Sequence, residues 1–180
     1  MQEIEIKFKV EDIDSLKEKL INEGCKLSEK LHQKDTVFVS NLEDTTSSEG
    51  KMFIRIRSVN GKNELNLKKQ SKDIINSKEI EFDVSDYDKT YDFLDTLGLK
   101  KWVTVEKTRV TSSYEEFNIC IDTVKYLGDF IEIEIVTEDG NDIHIYEEKI
   151  LDVAKKLGID IKNRVNSHYD TMLNELKIKE

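Results

Sequence analysis

The stretch Met1-Gln-Glu-Ile-Glu-Ile-Lys-Phe-Lys-Val10 decides how the rest of the chain is read. Side chains of a strand alternate between two faces, so Glu3, Glu5, Lys7 and Lys9 share one side and Ile4, Ile6, Phe8 and Val10 the other. A single antiparallel strand of this kind ordinarily keeps its polar side in water. The same construction recurs, however, in Phe53-Ile-Arg-Ile-Arg57, Glu64-Leu-Asn-Leu-Lys68, Lys78-Glu-Ile-Glu-Phe-Asp83 and Ile131-Glu-Ile-Glu-Ile135. Solvated faces mix Thr, Ser, Gln, Asn and Lys, whereas these concentrate Arg and Lys on some strands and Glu and Asp on others. The charged faces are therefore expected to look at one another.

Outward from these strands, the chain reads as an alternation of hairpins and amphipathic helices. Asp12 or Asp14 can cap a helix bearing Ile13, Leu16, Leu20 and Ile21 and closing at Gly24. A second strand is expected over Leu31 to Val39, then a loop from Ser40 to Gly50, rich in Ser, Thr, Asp and Glu. Strands over Lys51 to Val59 and Lys62 to Lys69 are joined by Asn60-Gly61, a strong hairpin signal. After a loop from Gln70 to Ser77 come a strand over Lys78 to Val84 and a helix capped by Asp86 and ended by Gly98. Strands follow at Lys101 to Ser112, Tyr114 to Asp122 and Phe130 to Thr137, then a helix from Ile143 to Leu157 and a last helix capped by Asn166 or Ser167.

With 180 residues and 37% hydrophobic content, a single domain over residues 1–180 is expected. No run approaches the roughly 18 apolar residues of a membrane span, and the N-terminus enters a charged strand instead of an apolar signal segment. We therefore expect a soluble, cytoplasmic protein that engages no membrane. A net charge of −10 argues against general nucleic-acid binding, which needs a broad basic surface. Cys25 and Cys120 lack metal-like spacing and read as reduced and partly buried. His32, His144 and His168 likewise lack mutual ligand spacing and read as surface or packing residues.

Eight antiparallel strands and four helices give an α+β, mainly β fold, and eight strands suffice to close a barrel. With apolar residues turned outward under the helices, the interior becomes a charged, aqueous tunnel. Charges in such a space are costly unless paired or given a ligand. The basic set in phase is Lys7, Lys9, Arg55, Arg57, Lys68, Lys107 and Arg109, suited to phosphate oxygens. The acidic set is Glu3, Glu5, Glu79, Glu81, Asp122, Glu132 and Glu134, which would repel phosphate unless divalent magnesium or manganese sat between. Taken singly, each of these is better explained as a solvated cross-strand ion pair. The ensemble points to a metal triphosphate site.

Glu3-Ile-Glu-Ile-Lys7 resembles the ExExK signature of the CYTH superfamily, the triphosphate tunnel metalloenzymes. The resemblance extends in order through Gln33-Lys-Asp-Thr-Val-Phe38, Phe53-Ile-Arg-Ile-Arg57, Leu65-Asn-Leu-Lys68, Lys78-Glu-Ile-Glu81, Glu106-Lys-Thr-Arg109 and the run Ile121 to Glu134. It implies an eight-stranded antiparallel tunnel holding one or two Mg2+ or Mn2+ ions. On that resemblance Glu3, Glu5, Glu132 and Glu134 are metal ligands, with Glu81 and Asp122 for a second ion. Lys7, Arg55, Arg57, Lys68, Lys107 and Arg109 form the triphosphate cradle, joined by Arg164 from the closing segment Arg164 to Tyr169. Lys7, Lys68 and Asp122 are the candidate proton acceptors.

Leu127-Gly-Asp-Phe-Ile-Glu-Ile-Glu134 and Asp35-Thr-Val-Phe38 look more like the class IV adenylyl cyclase branch. The expected activity is conversion of ATP to cyclic AMP and pyrophosphate. The alternatives are a triphosphatase acting on inorganic, nucleoside or thiamine triphosphate, and a non-catalytic triphosphate- or polyphosphate-binding module. The expected partner is a small-molecule triphosphate such as ATP or inorganic triphosphate, with a homodimer as the candidate assembly.

Overall fold

The computed structural model describes residues 2–40, 52–70, 77–138 and 140–176, with the side chains of 2, 52, 68–70 and 77–79 outside that description. Almost all of the expected loop over Ser40 to Gly50, and most of that over Gln70 to Ser77, therefore lie outside it. The fold is α+β and mainly antiparallel β, in two compact units interleaved along the chain. One comprises residues 1–31 and 107–167, the other 32–106 and 168–180. Among the described residues no helix is long and apolar enough to cross a membrane.

In the first unit, β1 (Gln2–Val10) pairs antiparallel with β8 (Gly128–Thr137), which pairs with β7 (Phe117–Val124). β7 pairs in turn with the second half of β6 (Lys100–Tyr114). A two-residue strand not foreseen from the sequence, β9 (Arg164–Val165), follows a 3-10 turn and lies against Lys7 and Phe8. Helices α1 (Ile13–Asn22) and α3 (Ile143–Lys156) cover one face of this sheet.

The alternation explains which face they choose. Ile4, Ile6, Phe8, Ile119, Ile121, Ile131, Ile133 and Ile135 pack with Leu16, Leu20, Ile150, Val153 and Ala154 in one buried cluster. Burying each such side chain is worth about 1.5–3 kcal/mol, against about 0–1 for an exposed ion pair, so the isoleucines dictate sidedness and the charges take the other face. Asp12 caps α1, its carboxylate accepting from Ser15 N at 2.9 Å, and Asp142 caps α3, accepting from His144 N at 3.0 Å.

The second unit pairs β2 (Leu31–Val39), β3 (Met52–Val59), β4 (Lys62–Gln70) and β5 (Ser77–Val84) in sequential antiparallel order. Asn60 and Gly61, at φ 50° and 81°, make the tight turn between β3 and β4. Helix α2 (Tyr87–Thr96), capped by Asp86, lays Leu94 on Phe38 and Ile56. The short α4 (Tyr169–Glu175) also belongs to this unit.

Several expectations need correction. Among the described residues there are nine strands instead of eight, and neither unit closes by itself: within the first β9 pairs there only with β1, and within the second β5 only with β4. Tyr114, expected to open a strand, ends β6; the reversal falls at Glu115-Glu116, with Glu115 at φ 52°. The cap of α4 is His168, without a side-chain cap bond, in place of Asn166 or Ser167.

Candidate active site

Directly opposed residues of an antiparallel pair share a face, so the ladders of the first unit array its uncovered face in rows. One row runs Ser113, Asn118, Glu134, Glu5; the next Thr111, Cys120, Glu132, Lys7; the third Arg109, Asp122, Phe130, Lys9. Glu3 lies two residues beyond Glu5 on the same phase, and Lys107 two beyond Arg109.

Asp122 is the hub of the cationic end. Its side chain is fully buried, and Arg109 donates to it twice, Nε to Oδ1 at 2.7 Å and Nη2 to Oδ2 at 2.6 Å. Lys107 Nζ donates to Oδ2 at 2.8 Å. Burial alone would raise the Asp122 carboxyl, but these cations outweigh it and hold it below its ordinary value. Burial lowers Lys107, against the pull of Asp122. Arg109 also meets Glu132, which forms an ion pair with Lys7 at 3.2 Å. Lys7, Arg109 and Lys107 together keep Glu132 ionised below its ordinary range despite burial. Lys7 further donates to the Ser167 carbonyl at 3.4 Å.

The carboxylates one row along behave oppositely. Desolvation by the surrounding protein, then the charges of Glu132, Glu134 and Glu3, push Glu5 up to about 7 against the pull of Lys7, although 37% of its side chain still meets solvent. Burial, then Glu3 and Glu132, raises Glu134. Carboxylates crowded enough to resist ionisation suit a divalent cation, which would relieve the repulsion.

Among the described residues, two groupings bring ligand atoms within 4.8 Å of one another: Glu3, Glu5 and Glu134, and Cys120, Glu132 and Glu134. The first is all hard oxygen and fits magnesium or manganese. In the second, the Cys120 thiol is pushed up to about 12 by burial and donates weakly to Glu134 at 3.6 Å, while both Glu132 oxygens already meet Lys7 or Arg109. Asp122, expected near a second ion, belongs to neither grouping and is committed to its cations.

In the second unit a parallel device appears. Asp35, 5% exposed, takes Arg57 in a fork, Nε to Oδ1 at 2.9 Å and Nη2 to Oδ2 at 3.0 Å. Arg55 stands 3.6 Å away, and Gln33 Nε2 donates to Asp35 at 3.0 Å. Glu81 is exposed and accepts from Asn66 Nδ2 at 3.5 Å. Lys68 lies in β4 opposite Phe53 and Glu79, its side chain outside the described set.

Of the expected site residues, Glu3, Glu5, Lys7, Lys107, Arg109, Asp122, Glu132 and Glu134 thus share one face of the first unit. Arg55, Arg57, Lys68 and Glu81 lie in the second. Arg164 is not brought to the charged face: it opposes Phe8, on the phase of the apolar core, and Nη2 pairs with Glu147 of α3 at 2.9 Å. Sequence reasoning missed Asp35 as the anchor of the arginines and Cys120 as a neighbour of the acidic cluster. For Asp35 a signal existed, since it alternates in phase with Gln33 on β2.

The antiparallel strand order and this array of carboxylates and cations define a CYTH-type protein, and comparison agrees. The chain matches the CYTH domain over residues 1–169 and belongs to the CYTH domain family. It is 30% identical over 171 residues to the protein named Putative adenylate cyclase MJ0240 of Methanocaldococcus jannaschii, covering 94% of this chain and 97% of that one. The PH1819 protein from Pyrococcus horikoshii OT3 matches with TM-score 0.79 at 27% identity, over 97% and 99% of the two chains. HpAC1 from Hippeastrum, an adenylyl cyclase-type protein described as showing a dominant triphosphatase activity, shares the fold with TM-score 0.68 at 16% identity, over 99% and 98%.

Proposed function

We propose that this chain is a divalent-metal-dependent enzyme acting on a triphosphate, specifically an adenylyl cyclase converting ATP to cyclic AMP and pyrophosphate. The observation that carries the reading is the junction, on one sheet face, of an all-carboxylate cluster with the buried Lys7 and Lys107 and the half-buried Arg109. Glu3, Glu5 and Glu134 would hold magnesium or manganese, which when bound supplies positive charge against a phosphoryl oxygen.

Lys7, Lys107 and Arg109 bind and neutralise the phosphates. Arg109 spends Nε and Nη2 on Asp122 and Glu132, leaving Nη1 for a phosphate oxygen. Asp122 and Glu132 act as tethers that fix these cations before substrate arrives, so that little is reorganised during reaction. In cyclisation the ribose 3′ oxygen bonds to the α-phosphorus, the bond to the pyrophosphate oxygen breaks, and the 3′ hydroxyl proton leaves to a base. Asp122, doubly bound and held acidic, is the weakest of the three proton acceptors considered above, and Lys7 is pinned to Glu132. The cyclase branch is supported by the MJ0240 likeness.

A second reading, hydrolysis of a terminal phosphate by water, is favoured by one observation: HpAC1, of the same fold, is described with dominant triphosphatase activity. Chromatography of products from ATP, inorganic triphosphate and thiamine triphosphate with Mg2+ or Mn2+ separates them. Cyclic AMP with pyrophosphate is expected; orthophosphate with a shortened product would move the reading to hydrolysis, and silence on all three would leave a binding module.

A further inference from the structure

Beside Glu134, and within the first unit, lies a groove of about 580 Å3 that the mechanism above does not use. Its walls come from Lys26 to Ser28, from β6 at Thr111 to Ser113, and from Asn118, Cys120 and Glu134. The segment after α1 is fastened there: Ser28 N donates to Thr111 O at 2.8 Å, Thr111 N to Ser28 Oγ at 2.9 Å, and Ser112 Oγ to Lys26 O at 3.0 Å. The volume suits a small-molecule subsite.

The rows of the face now carry a polarity. Along β6, Lys107 and Arg109 give way to Thr111 and Ser113, and along β7 Asp122 gives way to Cys120 and Asn118. Ser113 and Asn118 stand in the same row as Glu134 and Glu5. The side chains of Ser113 and Asn118 take no partner among the described residues. Cations thus occupy one end of the face, and at the other Glu134 and Glu5 stand in one row with the neutral donors and acceptors of the groove, Glu3 lying one row further. Four residues separate Arg109 from Ser113, roughly 13 Å at strand rise, a span on the scale of an extended nucleoside triphosphate.

Resting on the reading above, we infer that this groove takes the sugar and base of a nucleoside triphosphate, with Asn118 reading the base edge. A side-chain amide presents an N–H donor beside a carbonyl acceptor, the arrangement that matches adenine at N6 and N7. The substrate then lies with its α-phosphate at Glu3, Glu5 and Glu134 and its terminal phosphates toward Arg109 and Lys107. That orientation places the ribose beside the phosphorus it must attack and the leaving pyrophosphate on the cations.

The test is calorimetric titration, with Mn2+ present, of tripolyphosphate and of an ATP analogue with a methylene α,β-bridge. Wild type is compared with Asn118→Ala and with Ser113→Leu, which narrows the groove; both positions are solvent-exposed, so folding is undisturbed. Asn118→Ala should weaken the analogue about tenfold or more while moving tripolyphosphate less than about twofold, and Ser113→Leu should act in the same direction. If wild type binds both ligands but neither variant separates them, the groove assignment is overturned and the triphosphate reading stands. If wild type binds neither ligand, the triphosphate reading falls and takes the groove with it.

Discussion

Replacing Asp122 by Asn removes one charge from the most buried polar group of the first unit while keeping its shape. Asp122 has no exposed side-chain surface and accepts hydrogen bonds from Arg109 Nε and Nη2 and from Lys107 Nζ. Breaking a buried pair by removing one partner costs about 3–5 kcal/mol, because the remaining charge stays desolvated. Arg109 retains Glu132, so the larger loss falls on Lys107, which burial already pushes toward its neutral form. For a chain of this length the loss corresponds to a fall in Tm of roughly 6–20 °C. The sign with pH follows from the depressed carboxyl of Asp122: its contribution is present above its ordinary value of 3.8 and disappears as pH falls through the lower folded value. Circular dichroism melts of wild type and D122N between pH 3 and pH 8 would measure both. A fall in Tm of less than about 2 °C at neutral pH would refute the assignment of Asp122 as hub, since such a change is that of a surface pair.

Glu5 predicts a different pH response. Its pKa, raised from 4.5 to about 7, means that the folded protein without metal binds a proton more tightly than the unfolded chain and loses stability as pH rises across that interval. Metal must displace that proton, so Mn2+ affinity should fall about tenfold or more per pH unit below 7; E5Q should flatten the slope to the part that Glu134 contributes, and a slope unchanged in E5Q would count against Glu5 as a ligand. Arg57→Lys loses the fork on Asp35 and should cost about 1–3 kcal/mol of stability by urea unfolding. Gly61→Ala places a β-carbon at φ 81° in the β3–β4 turn and should cost about 1–2 kcal/mol by urea unfolding.

Period-two alternation made much of this protein legible in its sequence. Wherever isoleucine and a charged residue alternate, as in β1 and β8, the burial of isoleucine settles the face and therefore the face of Glu3, Glu5, Glu132 and Glu134. Asp12, Asp86 and Asn60-Gly61 were readable because caps and tight turns are local chemistry. Partner choice was not. Nothing in the pattern tells that Asp122 goes to Arg109 and Lys107 instead of joining the carboxylates, or that Asp35 gathers the β3 arginines, because those contacts depend on ladder register between distant strands. Arg164 misled for the same reason. A basic residue near the closing segment looked like part of the cradle, yet β9 is only two residues long and its register with Phe8 turns Arg164 toward Glu147.

The central claim is that Glu3, Glu5 and Glu134 unite metal with triphosphate on the face that Arg109 and Lys107 complete. Thermal unfolding with tripolyphosphate and Mn2+, added alone and together, to wild type and E134Q tests it most directly. Wild type should gain about 2.7 kcal/mol when the pair is present at a hundredfold over Kd, with little gain from tripolyphosphate alone, and E134Q should lose most of the joint effect. Equal stabilisation of both proteins, or full stabilisation of wild type by tripolyphosphate without metal, would contradict it.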